Sequence, residues 1–274
     1  MVCDNTIRRV CQEHGGAMRD WQRDAPAASA AFRAADGDVE FQTDGTAVNT
    51  TPGWRELRLS IFAKRRRGRP PAGPGATEPR HLPAPHVRVV QAGIRTGDQL
   101  GPGWRRQAAR LGLRDTAAVT AIADGAKWIW RQWAAHLPGA AGVLDIYHAG
   151  EHLWAAARGR FGEGTAATRA WAEARRATLL AGGAAALLAE LAGPEWAEVR
   201  GYFAPHRGHT DYAGRLAEGR SIGSGMVEGA CKQVVGRRLK QTGARWKVRR
   251  VERMAALCAV QASDQWEAYW ATAA

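Results

Sequence analysis

Between Val39 and Phe62 the chain changes its hydrophobic period. Val39, Phe41 and Thr43 alternate with polar neighbours, and Trp54-Arg-Glu-Leu-Arg-Leu-Ser-Ile-Phe62 alternates again. A period of two places successive side chains on opposite faces of a sheet, so these runs predict two strands. Gly45 and the cluster Thr50-Thr-Pro-Gly53 between them supply a turn, and the pair reads as a β-hairpin. Strand-like and helix-like segments then take turns. Val87 to Ile94 reads as a third strand, Trp104 to Leu113 as a short helix, and Ala117 to Ala123 as a buried strand ending at Asp124. Trp128 to His136 reads as a helix, and Gly142 to Tyr147 as a strand after the Pro138-Gly139 turn. A hairpin and third strand followed by a βαβ unit favour a mixed-sheet α/β architecture.

The flanks read as helix. Ile7, Val10, Cys11, Met18 and Trp21 recur at helical spacing across residues 5–23, and alanine-rich Ala25 to Asp38 reads as helix ending in a loop. Residues 64–85 begin with Lys64, Arg65, Arg66, Arg67 and Arg69 and continue rich in proline and glycine, which reads as a basic loop. From Glu151 to about Phe203 the chain is rich in alanine and leucine, divided at Gly162-Glu-Gly164, Gly182-Gly183 and Gly193-Pro194. Ser221 to Trp270 reads as two helices separated near Gly243. No internal repeat is seen. The expected organisation is an N-terminal helical segment (1–38), a strand-bearing core (39–148), a helical insertion (149–220) and closing helices (221–274).

Composition narrows the partners. The 274 residues carry 39 lysines and arginines against 26 aspartates and glutamates, a formal net charge of +13. A charge of that sign and size points to a polyanion, with nucleic acid first. Apolar residues at 45% exclude a disordered chain. No apolar run approaches the ~18 residues of a membrane span. The start, MVCDNTIRRVCQEHGG, has no apolar signal-peptide core. Cys3, Cys11, Cys231 and Cys258 are scattered with no C-x-x-C pair, so the expectation is a reducing cytoplasm rather than a zinc ribbon or disulfide scaffold.

Three acids stand out by position. Asp44 ends the first strand, Asp124 ends the fourth, and Glu228 opens a helix after the tight turn Ile222-Gly-Ser-Gly-Met-Val-Glu228. Carboxylates held close repel by several kcal/mol unless one is protonated or a cation lies between them. Converging at a sheet edge, the three would hold Mg²⁺ or Mn²⁺ through oxygen ligands, and two such ions ~3.5–4 Å apart suit phosphodiester chemistry. The plainer alternative is turn formation, because both aspartates precede glycine.

These segments resemble a known family. Phe41-Gln-Thr-Asp-Gly-Thr46, Ala123-Asp-Gly-Ala-Lys-Trp-Ile-Trp130, Leu144-Asp-Ile-Tyr-His148 with Glu151-His-Leu-Trp154, and Ile222-Gly-Ser-Gly-Met-Val-Glu-Gly-Ala-Cys-Lys232 are similar to segments of the ISKra-type insertion-sequence transposases. Those are DDE enzymes with an RNase H-like catalytic domain, related to the Mutator group. The resemblance covers about residue 5 to the C-terminus. It implies an RNase H-like mixed sheet flanked by helices, with an all-helical insertion before the last acid. It also implies that Asp44, Asp124 and Glu228 are the catalytic acids holding two Mg²⁺ (or Mn²⁺) ions. Asp145 and His148 match a supporting C/D-x-x-H motif. The implied partners are transposon-end and target DNA, bound by a homo-oligomer in the bacterial cytoplasm at the nucleoid. Family members usually carry a further N-terminal region for DNA binding, so a shortened front is expected here. A catalytically silent DNA-binding fragment is the alternative from a different class.

Other motifs compete for attention. His148-Ala-Gly-Glu-His152 spells the H-x-x-E-H pattern of a zinc peptidase, although Gly150 weakens the helix those ligands need and a histidine pair capping a helix is the plainer reading. Gly223-Ser-Gly225 matches neither a nucleophile elbow nor a phosphate loop, and reads as a turn aiming Glu228, with amides available to a phosphate. Trp128, Trp130 and Trp133 read as core, and Trp154 and Trp171 as packing or as a platform for an extruded base. Lys232 to Arg253 holds nine basic residues and one acid, Glu252. That one-signed run, with Lys232, Arg237, Arg238, Lys240, Arg245 and Lys247 nearest Glu228, reads as phosphate contacts, against the alternative of a merely soluble surface.

Overall fold

A computed structural model describes residues 3–71 and 82–273. Five strands form one mixed sheet in the order β3-β2-β1-β4-β5. β1 (Asp38–Thr50) and β2 (Gly53–Arg65) pair antiparallel along their whole length, from Asp38 opposite Arg65 to Thr50 opposite Gly53. β3 (Val87–Gly93) adds antiparallel to β2, whereas β4 (Val119–Ala123) and β5 (Ala141–Leu144) add parallel on the other side of β1.

The alternating hairpin pattern is what gives the sheet two buried faces. Leu57, Leu59 and Ile61 of β2 point to one side. There they meet Val227 of α9 (Gly225–Ala230), Val234 and Val235 of the π-helical turn Cys231–Gly236, and Val251 and Ala255 of α11 (Val248–Ala262). Phe41 and Phe62 point to the other, against Phe32 of α2 (Ala27–Ala34) and Trp104 of α3 (Gly97–Arg110). Each such side chain removed from water contributes about 1.5–3 kcal/mol. α1 (Asp4–Asp24) lies along α11, with Met18 packed on Val260. α4 (Lys127–His136) joins β4 to β5.

After β5 the chain is largely helical. α5 (Ile146–Phe161), α6 (Ala166–Glu190), α7 (Ala197–Phe203) and α8 (Tyr212–Ala217) bury Leu153, Leu179, Leu187, Phe203 and Tyr212 together. α6 breaks at Gly183, whose φ of 66° lies in the left-handed region that glycine tolerates. Residues 149–220 are thus helix, 3₁₀ turn and loop throughout. The chain leaves the sheet at Ile146 and returns at Ile222, and the N–H of Ile146 donates to the carbonyl of Ile222 at 3.1 Å. α10 (Arg237–Leu239) and α12 (Trp266–Ala273) complete the order. Among the described residues no helix is long and apolar enough to cross a membrane.

Several boundaries differ from the sequence expectation. Gly45 is not in a turn: β1 continues six residues past Asp44, because Thr46 to Thr50 keep their pairing with Leu57 to Gly53. Lys64 and Arg65 belong to β2 rather than to the basic loop, and Arg65 is buried against Glu40 at 2.9 Å (10% and 4% exposed). Of residues 64–85, the stretch 72–81 lies outside the described residues. α3 begins at Gly97, seven residues ahead of the expected start, because Thr96 and Gln99 form a capping box that outweighs Pro102 and its flanking glycines. Thr116–Ala118 is a 3₁₀ turn, and β4 starts only at Val119. β5 stops at Leu144 because Asp145 caps α5, and Gly150 lies inside that helix. The closing part holds more than two helices, since Ser263 and Asp264 (φ 55°) separate α12 from α11.

Candidate functional site

The parallel strands end together. β4 pairs with β1 only from Val39 to Gln42, so Asp44 lies just past that overlap and Asp124 directly after β4. Asp145 directly follows β5. Three aspartates therefore stand at the C-terminal side of three neighbouring strands. Asp44 is mid-strand within the hairpin, but at the strand end where its parallel neighbour is concerned.

Each is held by local chemistry. Asp44 Oδ1 accepts from the Gly45 N–H at 2.6 Å, and Asp124 Oδ1 from the Ala126 N–H at 2.9 Å. The Trp130 indole N–H donates to the Asp124 carbonyl at 2.6 Å. Both carboxyls are half-buried. Burial is the main cause of a raised Asp44 pKa. The Gly45 N–H opposes it, the negative charges of Asp124 and Glu228 push it further up, and the positive charge of His148 pulls it down. Asp44 thus feels both other predicted acids.

Glu228 arrives from the opposite direction in the chain. It sits in the first turn of α9, half-buried, with Ser224 Oγ at 3.2 Å from its Oε1. Two buried clamps fix that turn. Gln42, fully buried between Glu40 and Asp44 in β1, accepts from the Val227 N–H at 3.1 Å and donates to the Gly223 carbonyl at 3.4 Å. Asp145, also fully buried, accepts from the Tyr147 and His148 N–H groups at 2.6 and 2.8 Å and from the Ser224 N–H. The amides of the Gly223-Ser-Gly225 turn and the helix behind it are therefore partly committed inside the protein, contrary to the expectation that they stay available to a phosphate.

His148 Nδ1 lies 3.3 Å from Asp145 Oδ1. That carboxylate, outweighing burial, lifts the imidazole to a pKa of about 9, with Asp124 and Glu151 adding to the effect. His148 is therefore a cation at neutral pH, set among acids.

Among the described residues, one group of three ligand-type side chains brings its atoms within 4.8 Å of one another: Asp145, His148 and Glu228. Asp145 already accepts three backbone N–H groups and His148 is protonated, so this triple is a poor metal cage as it stands. Asp44, Asp124 and Glu228 share one electrostatic neighbourhood but do not gather their oxygens within that radius. The H-x-x-E-H residues do not assemble either. His148 turns to Asp145 and Glu228, while His152 stacks on Tyr202 with ring centroids 3.6 Å apart.

Some neighbours carried weak sequence signals. Gln42 carried no such signal, since the alternation of Val39, Phe41 and Thr43 puts it among their polar neighbours, yet it is fully buried. Tyr202 of α7 is brought from the helical insert, and burial with the charges of Asp124 and Asp145 raises its pKa. Cys231 Sγ lies 4.0 Å from Asp44 Oδ2, and burial first, then that carboxylate, pushes its thiol up to about 12. Trp171 stacks on Trp196 at 4.4 Å and Trp104 is buried against Phe41, both as packing.

The predicted basic residues Lys232, Arg237, Arg238, Lys240, Arg245 and Lys247 are all exposed. Lys240 donates to the Thr46 hydroxyl, two residues beyond Asp44, and Arg245 donates to the Thr51 carbonyl at 2.7 Å. Trp246 bridges to Thr50 and is bonded to Asn49 and Thr51 on the hairpin tip. The segment between α10 and α11 is thereby fastened along the outer half of β1. Comparison with models of known protein families finds no match, and comparison with curated proteins finds no relative.

Proposed function

We propose that this chain is the RNase H-like catalytic core of a DDE-type transposase, cutting and joining DNA with Asp44, Asp124 and Glu228 as the acids that hold divalent metal. The observation that supports the reading is the shared electrostatic neighbourhood of these acids. Residues far apart in the chain place half-buried carboxylates where Asp44 feels both others, with His148 as the cation that partly offsets them. The sheet supports it as well: an antiparallel β1-β2-β3 meander followed by parallel β4 and β5, with acids at the strand ends.

The donor set fits a hard cation. It consists of carboxylate oxygens with few protein partners and negative charge that His148 only partly offsets, which suits Mg²⁺ or Mn²⁺. The chemistry that two such ions supply when bound is activation of the attacking oxygen and stabilisation of the leaving oxygen of a phosphodiester. The protein's own part is positional. Gln42 and Asp145 lock the turn that aims Glu228, and the exposed cations from Lys232 to Lys247 meet phosphates beside it. Hydrolysis breaks the bond between phosphorus and the 3′ oxygen, and the freed 3′-hydroxyl then displaces a 3′ oxygen at a target phosphodiester. No side-chain nucleophile is needed.

The test compares nicking and strand transfer by the wild-type chain with Asp124→Asn and Glu228→Gln, in Mg²⁺ and in chelator. Activity in the wild type alone, and only with metal, is the expected result. Equal activity in all three refutes the assignment. A second reading, DNA binding without cutting, is favoured by one observation: the three acids do not close to within 4.8 Å of one another. Salt-dependent binding with no metal-dependent cleavage selects it.

A further inference from the structure

The N-terminal helix carries the clearest unassigned feature. α1 and α11 run in the same direction, since Gly15 meets Arg253, Met18 meets Val260 and Gln22 meets Ser263 in step along both helices. A Cβ at Gly15 would collide with the Arg253 carbonyl oxygen, so glycine there lets the two backbones touch. On the N-terminal side of that contact the helices enclose a groove of roughly 340 Å³. Arg8, Arg9 and Gln12 line it from α1, and Lys247, Arg249, Arg250 and Arg253 from α11 and its N-cap.

Six cations thus share one groove. Among the described residues only Arg9 has an ion-pair partner, Glu13 at 3.2 Å, and that pair is exposed. Six cations gathered with a single exposed acid paired among them repel one another, and parallel packing adds two positive helix ends on the same side. Both effects oppose the arrangement in the free protein and favour an anion between the walls. Every side chain that lines the groove is an arginine, a lysine or a glutamine, so its charged tips are of one sign. Such a lining suits a repeating anion.

We infer that the α1–α11 groove grips the phosphodiester backbone of duplex DNA, as a contact separate from the carboxylates. Trp246, next to Lys247, bridges to Thr50, six β-strand residues from Asp44. At about 3.3 Å per residue, the Lys247 end of the groove is anchored roughly 20 Å along β1 from Asp44. The groove therefore holds a flank of the duplex rather than the reacting phosphate. This inference rests on the proposed DNA-processing role, but assigns the N-terminal helix a part in binding that neither the catalytic acids nor the Lys232–Lys247 segment supplies.

The experiment measures fluorescence anisotropy of a labelled duplex of about 30 base pairs between about 50 and 200 mM salt. It uses the full chain, the double variant Arg8→Gln with Arg9→Gln, and the double variant Arg249→Gln with Arg250→Gln. Each double variant is expected to bind about 10-fold more weakly, with a salt slope shallower by about 1.8, the share of two phosphate contacts. Unchanged circular dichroism melts will show that the fold is kept. Affinity and slope equal to wild type in either double variant overturn the inference. So does groove-dependent binding to phosphatidylserine vesicles when duplex binding is unaffected. Groove-dependent binding by a chain that does not cut keeps this inference and ends the catalytic reading. Normal cutting with both double variants binding like wild type does the reverse.

Discussion

The backbone N–H of Ser224 donates to the side chain of Asp145, a residue 79 positions earlier in the chain. That bond closes the distance between the end of β5 and the turn that starts α9. It makes the placement of Glu228 depend on an acid that is itself saturated with donors.

Removing that acceptor leaves the buried Ser224 N–H, the part-buried Tyr147 and His148 N–H groups and the His148 ring without their partner. Asp145→Ala is expected to destabilise the fold by about 1–3 kcal/mol, as for hydrogen-bonding groups left without their acceptor. Urea unfolding of wild type and variant measures it. A loss below 1 kcal/mol would show that water replaces the carboxylate freely.

Gly183 holds the break in α6 at a φ of 66°, where a Cβ would lie 2.9 Å from the Thr210 carbonyl oxygen, while Thr210 Oγ1 accepts from the Ala184 N–H at 2.8 Å. Gly183→Ala is expected to cost about 1–3 kcal/mol through strain at that one residue. Gly229→Ala, a glycine inside α9 with nothing within 4 Å of its Cβ, is the control and should be near neutral or slightly stabilising. Thermal melts of the two variants decide.

His206 is buried beside Trp130, with ring centroids 4.6 Å apart. Burial lowers its pKa to about 4, and His209 adds to the fall. The folded value lies below the unfolded one near 6.5, so the unfolded chain takes up the proton first. Stability is complete above about pH 6.5 and is lost as the pH falls toward 4, by up to about 3 kcal/mol. Urea midpoints at pH 7 and pH 4.5 should differ in the wild type, and His206→Gln should narrow that gap.

Carboxylates that repel in the free protein should gain from a shared cation. Mg²⁺ at a hundredfold excess over its dissociation constant is expected to add about 2.7 kcal/mol of stability. Asp44→Asn and Glu228→Gln should show much less of it. Differential scanning calorimetry with and without Mg²⁺ measures the effect, and a wild-type melt unmoved by Mg²⁺ or Mn²⁺ counts against the metal site.

Much of the sheet was legible because period-two alternation and the Asp-Gly and Pro-Gly punctuation are local signals. β2, β3 and β4 lie within a few residues of where Trp54 to Phe62, Val87 to Ile94 and Ala117 to Ala123 place them. Gly45 misled, since a glycine after a strand acid looks like a turn until the partner strand is known to continue opposite it. The Thr96–Gln99 capping box was equally local, yet Pro102 and its glycines hid it. The candidate site was legible as residue types, Asp44, Asp124, Asp145, His148 and Glu228. What sequence could not supply was long-range: the Gln42 clamp, the approach of Tyr202, and the fact that Asp145, His148 and Glu228, rather than the three predicted acids, come closest together.

The hydrogen bond from Ile146 to Ile222 has a consequence for how this chain can vary. The helical excursion departs and re-enters through a single doorway, so its length is uncoupled from the register of the strands. Helices can be added to that detour while the doorway stays shut and while Tyr202, His206 and Tyr212 keep their contacts with the sheet side.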